Sequence, residues 1–96
     1  MSYKIEVENV NHPGQITRVD TMKYAAAKTA LLAILSGQEQ GLTQTVMMAA
    51  IKVQIDKTLF SNGVKSGWWM KTVQLDLEAK GQINRIATKT LRWTLA

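Results

Sequence analysis

The first residues of the chain alternate between apolar and polar side chains. Tyr3, Ile5 and Val7 are separated by charged residues, which predicts a strand over residues 3–8 with one buried face. The following residues, 9–14, are rich in Asn, Pro and Gly, which favour turns. The N-terminal region is therefore expected to be a strand followed by a turn.

Two segments with helical spacing follow. Asp20 precedes a run of good helix formers and is predicted to be the N-cap of a helix over residues 21–35, closed by Gly37. Thr43 is predicted to be the N-cap of a second helix that runs to about Ile55. Both helices carry an apolar face, so we expect them to pack against a shared core.

A third helix is predicted after a longer connection. In that connection, the apolar pair Leu59 and Phe60 is expected to plug the core, and the Asn62-Gly63 dipeptide favours a turn. Ser66 is the predicted N-cap of the helix. Gly81 is the predicted stop, because glycine adopts the left-handed conformation that ends helices without steric cost.

The residues after the third helix predict a β-hairpin. Apolar positions mark its two strands: Ile83, Ile86, Leu91, Trp93 and Leu95. The order of elements indicates one α+β domain over residues 1–96, with a strand and turn over 1–19, three helices over 20–80 and a hairpin over 82–95.

The junction between the third helix and the hairpin resembles that of winged helix-turn-helix domains. The string Leu77-Glu-Ala-Lys-Gly-Gln-Ile83, followed by Arg85 and Leu91-Arg-Trp93, contains the Leu-Glu pair, the glycine and the apolar residue that recur there. The resemblance implies a three-helix winged-helix domain with a C-terminal hairpin wing, here with an extra N-terminal strand. More narrowly, residues 68–81 together with His12-Pro-Gly14 resemble a small group of uncharacterised bacterial proteins, which implies no activity.

Charge is concentrated near the C-terminus. Residues 65–96 hold six basic and two acidic residues, which leaves +4 of the net charge of +5 in this third of the chain. Such asymmetry can attract polyanions, but +4 is modest, and a solvated basic face is the favoured interpretation.

The winged-helix resemblance implies duplex DNA as a partner, bound through the third helix and the wing. The helix residues that would face a groove are Lys65, Ser66, Lys71, Thr72 and Gln74. The wing residues that would contact phosphates are Arg85, Lys89 and Arg92. Of the helix residues, Gln74 has the clearest base-reading chemistry, whereas Asp76 and Glu78 would repel phosphates if they faced them.

An apolar stripe on the third helix favours a different use. Trp68, Leu75 and Ala79 exceed what one core face needs, so the alternative is a protein-interaction or homodimerisation module without nucleic-acid binding. Trp69 and Trp93 are expected in the core. Trp68 is expected beneath the N-terminal strand or a second subunit, and stacking on unpaired bases is its less favoured role.

Catalysis, metal binding and membrane insertion have little support in the sequence. His12 is the only histidine and has no nearby acidic partner, and the chain has no cysteine. The longest apolar run, residues 30–35, is far shorter than the roughly 18 residues that span a bilayer, and residues 1–8 lack a signal peptide's apolar core. We therefore expect a cytoplasmic protein that is not an enzyme and holds no metal or cofactor.

Overall fold

The structure is a computed structural model that describes residues 3–60 and 65–96. Within these residues it contains three helices and two small antiparallel sheets, which confirms the predicted α+β class with a C-terminal hairpin. The elements in chain order are β1 (Lys4–Glu8), β2 (Ile16–Asp20), α1 (Thr21–Leu35), β3 (Leu42–Thr43), α2 (Gln44–Gln54), α3 (Ser66–Ala79), β4 (Ile83–Ile86) and β5 (Arg92–Leu95).

The first two helices begin at the predicted capping residues. The Asp20 carboxylate accepts a hydrogen bond from the backbone N–H of Lys23 at 2.9 Å. The Thr43 hydroxyl accepts one from the backbone N–H of Val46 at 3.4 Å. Each cap satisfies a backbone donor that the helix itself leaves free, so these two starts are fixed by local sequence.

One end of α3 agrees with the prediction and the other does not. Lys65, in the left-handed conformation at φ 63°, precedes the helix, and Ser66 is already its first residue, so the prediction of Ser66 as N-cap is wrong by one position. At the other end Gly81 has φ 74°, and its N–H donates to the carbonyl of Glu78. The predicted glycine stop is confirmed.

The N-terminal region contains a second strand that the sequence did not indicate. β2 pairs antiparallel with β1, with Ile5 opposite Val19 and Val7 opposite Thr17. Of the β2 side chains only Val19 is buried, so the strand lacks the alternation of apolar and polar residues that reveals a strand. The predicted single strand and turn are in fact a hairpin.

The C-terminal sheet has three strands in the order β3-β5-β4. β4 and β5 form the predicted hairpin, with Arg85 opposite Trp93. β3 adds a short third strand that places Leu42 opposite Trp93. This pairing holds the loop before α2 against the hairpin.

The three helices and β4 share one core. Its largest fully buried apolar side chains are Leu31, Leu35, Met47, Ile51, Met70, Leu77, Val73 and Ile83. Phe60 is buried in the same cluster, as predicted, whereas the predicted Asn62-Gly63 turn lies outside the described residues. The described helices include none with the length and apolar character needed to span a bilayer. The shared core fixes which side of α3 points inward and which points outward.

Candidate functional site

α3 turns one side to the core and the opposite side away from it. Trp69, Val73 and Leu77 are buried on the core side. At about 100° per residue, the opposite side is occupied by a different set of residues. We call this set the outer strip: Trp68, Lys71, Thr72, Leu75 and Ala79.

Two residues that were predicted to face a DNA groove are buried instead. Gln74 is 1% exposed and Ser66 is 4% exposed. The side-chain oxygen of Gln74 has no hydrogen-bond partner among the described residues. Gln74 lies one helical turn from Met70 and from Leu77, both in the core, so neither its amide nor the Ser66 hydroxyl can reach a base edge. The predicted exposure of these two residues is wrong.

Asp76 is fully buried and connects three parts of the fold. Its carboxylate accepts hydrogen bonds from the Tyr24 hydroxyl of α1 and, at 2.8 Å, from the backbone N–H of Glu8. Lys80, one turn further along α3, forms an ion pair with it at 2.9 Å. Burial, together with the hydrogen bond to Asp76, raises the pKa of Tyr24 well above its ordinary value, so the hydroxyl stays a donor. Asp76 therefore attaches β1 to α3 and does not face solvent.

Glu78, the other acidic residue of α3, is bound by residues of the β4–β5 hairpin. Its side chain is only 6% exposed and forms an ion pair with Arg85 at 3.1 Å. The indole N–H of Trp93 donates to the same carboxylate, and the Arg85 guanidinium lies 5.7 Å from the Trp93 ring centroid. Both acidic residues of α3 are thus paired with cations and withdrawn from the surface.

The basic residues that were predicted to face a groove or to contact phosphates fall into two groups. Arg85 is paired with Glu78, and the Arg92 guanidinium donates to the backbone carbonyl of Gly41 at 3.1 Å. Lys65, Lys71 and Lys89 are exposed and form no ion pair among the described residues. Consequently, the outward-facing charge of the described part of α3 and the β4–β5 hairpin is positive.

Trp68 stands between two concavities. Trp68 is 56% exposed. The expectation that the N-terminal strand β1 covers it is therefore wrong. On one side Trp68, Thr72 and Leu75 face the β1–β2 hairpin across a cavity of about 160 Å³. On the other side, Trp68 lines a second cavity with Lys23 of α1 and Lys65. The β1–β2 hairpin and α1 therefore contribute to the site, in addition to α3 and the β4–β5 hairpin.

The predicted interface residues are only partly brought together. Trp68 and Leu75 line the same cavity, whereas Ala79 borders a different one beside Pro13 and Gly14. Lys23, which precedes α3 by more than 40 residues, was not among the predicted site residues. A polar residue in the first turn of α1 gives no local signal that tertiary packing will place it beside Trp68.

Little in the described residues suggests metal binding. No group of three or more potential ligands (His, Cys, Asp or Glu) lies close enough together among residues 3–60 and 65–96 to hold a metal ion. His12 is exposed in the turn between β1 and β2.

Comparison with known proteins gives one match. No curated protein and no solved structure matches the chain significantly. The model of a family of unknown function (DUF6958) matches residues 4–93, from the first strand to Trp93 in the last. The match covers nearly the whole chain, so the protein belongs to the family of unknown function DUF6958.

Proposed function

We propose that this protein binds nucleic acid through phosphate contacts made by the exposed lysines of α3 and the wing. The observation that supports the proposal is that both acidic residues of α3 are buried or nearly buried and do not face solvent. Asp76 is fully buried beside Lys80, and Glu78 is nearly buried beside Arg85. Exposed Glu8 of β1 lines the cavity beside Trp68, but α3 and the β4–β5 hairpin carry no exposed acidic residue of their own. Their exposed positive charge attracts polyanions and speeds their association.

The same geometry favours binding with little sequence preference. Gln74, the residue best suited to read a base, is in the core. Lysines such as Lys71 and Lys89 recognise phosphates as point charges, and phosphate contacts position a protein on nucleic acid without reading its sequence. The order of three helices and a C-terminal hairpin supports the proposal, because the winged-helix domains that the chain resembles bind DNA through these elements.

Protein association is the competing use of the outer strip. Trp68 and Leu75 are apolar, and exposed tryptophans are common at interface hot spots. The charges favour a nucleic-acid partner over a protein partner, because Lys65 and Lys71 flank Trp68 while no exposed acidic residue lies on α3.

A charge reversal on the outer strip tests the proposal. Lys71→Glu removes one phosphate contact and adds a repulsive charge, so we expect the affinity for a 20-base-pair duplex at low salt to fall about tenfold. Lys71 is exposed and free of ion pairs among the described residues, so the fold should not change. The measurement is fluorescence anisotropy of a labelled duplex titrated with protein.

Lys28→Glu in α1 is the matched control, because it changes the net charge by the same amount on a helix outside α3 and the β4–β5 hairpin. Its affinity should stay within about twofold of the wild type, since long-range charge effects are screened by salt. Equal losses in the two variants would mean that only net charge matters and would contradict a binding surface on α3. An unchanged affinity in Lys71→Glu would contradict it as well.

A further inference from the structure

The cavity on the α1 side of Trp68 joins residues that are distant in sequence. It is lined by Lys23 from the first turn of α1, by Lys65 just before α3, and by Trp68 and Trp69 in the first turn of α3. Its volume is about 400 Å³, which lies within the range of roughly 300–1,000 Å³ typical of small-ligand sites. The cavity is thus large enough for one planar group with a charged substituent.

The aromatic side of this cavity is held from behind by buried rings. Trp68 and Trp69 are perpendicular, with ring centroids 5.0 Å apart and an interplanar angle of 82°. Trp69 is itself fixed edge-to-face against buried Phe60, with centroids 6.0 Å apart. Because Trp68 is 56% exposed while its neighbours are buried, it offers a supported ring surface to a ligand.

The charged side of the cavity is purely cationic among the described residues. Lys23 and Lys65 line the cavity, and no acidic residue does. The ammonium group of Lys23 lies 6.0 Å from the Phe60 ring centroid, over the same aromatic cluster. Two like charges beside one cavity repel each other, and an anion bound between them would remove that repulsion.

We infer that this cavity holds one unpaired nucleotide of a single-stranded nucleic acid, with the base stacked on Trp68 and a phosphate near Lys23 and Lys65. A nucleotide combines a planar π surface with a negative charge, which are the two features that the cavity complements. A base inside a duplex is covered by its neighbours and cannot reach Trp68, so the strand must be unpaired. The inference rests on the proposed function, and it adds a preference for single strands and a role for α1.

Two oligonucleotides of equal charge distinguish base stacking from phosphate contact. We would measure binding of a labelled 12-nucleotide oligothymidylate and of an abasic strand of the same length by fluorescence anisotropy. Trp68→Leu keeps an apolar side chain at an exposed position and removes the ring, so we expect about tenfold weaker binding of the oligothymidylate. Binding of the abasic strand, which has phosphates but no bases, should change less than about twofold.

A second pair of variants tests the role of α1. Lys23→Gln should weaken binding of both strands by about threefold, because it removes a phosphate contact. Lys28→Gln removes the same charge from the opposite side of α1, about 140° away, and should leave both affinities unchanged.

The failures of the two proposals are distinguishable. If Trp68→Leu weakens neither strand, or weakens both equally, the stacking inference is overturned while phosphate binding stands. If the wild type binds none of the strands and no duplex at low salt, the proposed function fails and the inference fails with it. Thymidine monophosphate that competes as well as the strand would contradict a strand as the occupant.

Discussion

Replacing Asp76 with alanine is expected to lower the free energy of unfolding by about 3 kcal/mol, because the substitution leaves buried hydrogen-bond donors without an acceptor. The Tyr24 hydroxyl and the Glu8 N–H both donate to Asp76 and would lose their acceptor. Lys80 would also lose its partner, although its side chain is 34% exposed and can turn to water at little cost. Urea denaturation followed by circular dichroism measures the change.

Tyr24→Phe is the matched control for Asp76→Ala. It removes one hydroxyl and leaves Asp76 with the Glu8 N–H and the Lys80 ammonium, so the cost should be only about 1–2 kcal/mol. If Asp76→Ala costs no more than Tyr24→Phe, the carboxylate does not hold β1, α1 and α3 together as the structure indicates.

Gly41→Ala is expected to cost about 3 kcal/mol, because strain and a steric clash act together. Gly41 has φ +80°, where a side chain is unfavourable in any surroundings. A Cβ there would lie 2.9 Å from the backbone carbonyl oxygen of Trp93 and 3.1 Å from the Cβ of Arg92. β3 and β5 would have to separate, so denaturation experiments should show a large loss of stability.

Gly37→Ala is the control that measures backbone strain without the steric clash. Gly37 has a similar φ of +77°, but an added Cβ would meet nothing within 4 Å. We expect it to cost only about 1 kcal/mol. Equal losses in the two variants would show that the contact between Gly41 and β5 contributes nothing, contrary to the pairing of β3 with β5.

The parts of the fold that depend on local chemistry were predictable. Asp20 and Thr43 cap the first two helices as predicted, since a capping side chain and its backbone donor lie three residues apart. β2 and β3 were not predicted. Val19 is the only buried residue of β2, and β3 is a two-residue strand defined by pairing with β5 some 50 residues later.

The candidate site was less predictable, because exposure in α3 depends on distant partners. Asp76 looks like a surface residue in the sequence, yet it is buried beside Tyr24, which lies 52 residues earlier. Gln74 has the chemistry of a base reader but lies in the core. The basic character of Lys65 and Lys71 was visible in composition, whereas the approach of Lys23 to Trp68 required the tertiary fold.

The salt dependence of nucleic-acid binding tests the central claim most directly. With roughly four phosphates contacted, a duplex should bind the wild type with a log–log slope of affinity against salt of about −3.5. Absence of binding of both the duplex and single strands at about 50 mM salt, or a slope near zero, would contradict a cationic nucleic-acid surface on α3 and the β4–β5 hairpin. Self-association that Leu75→Lys abolishes would then assign the outer strip to protein contact instead.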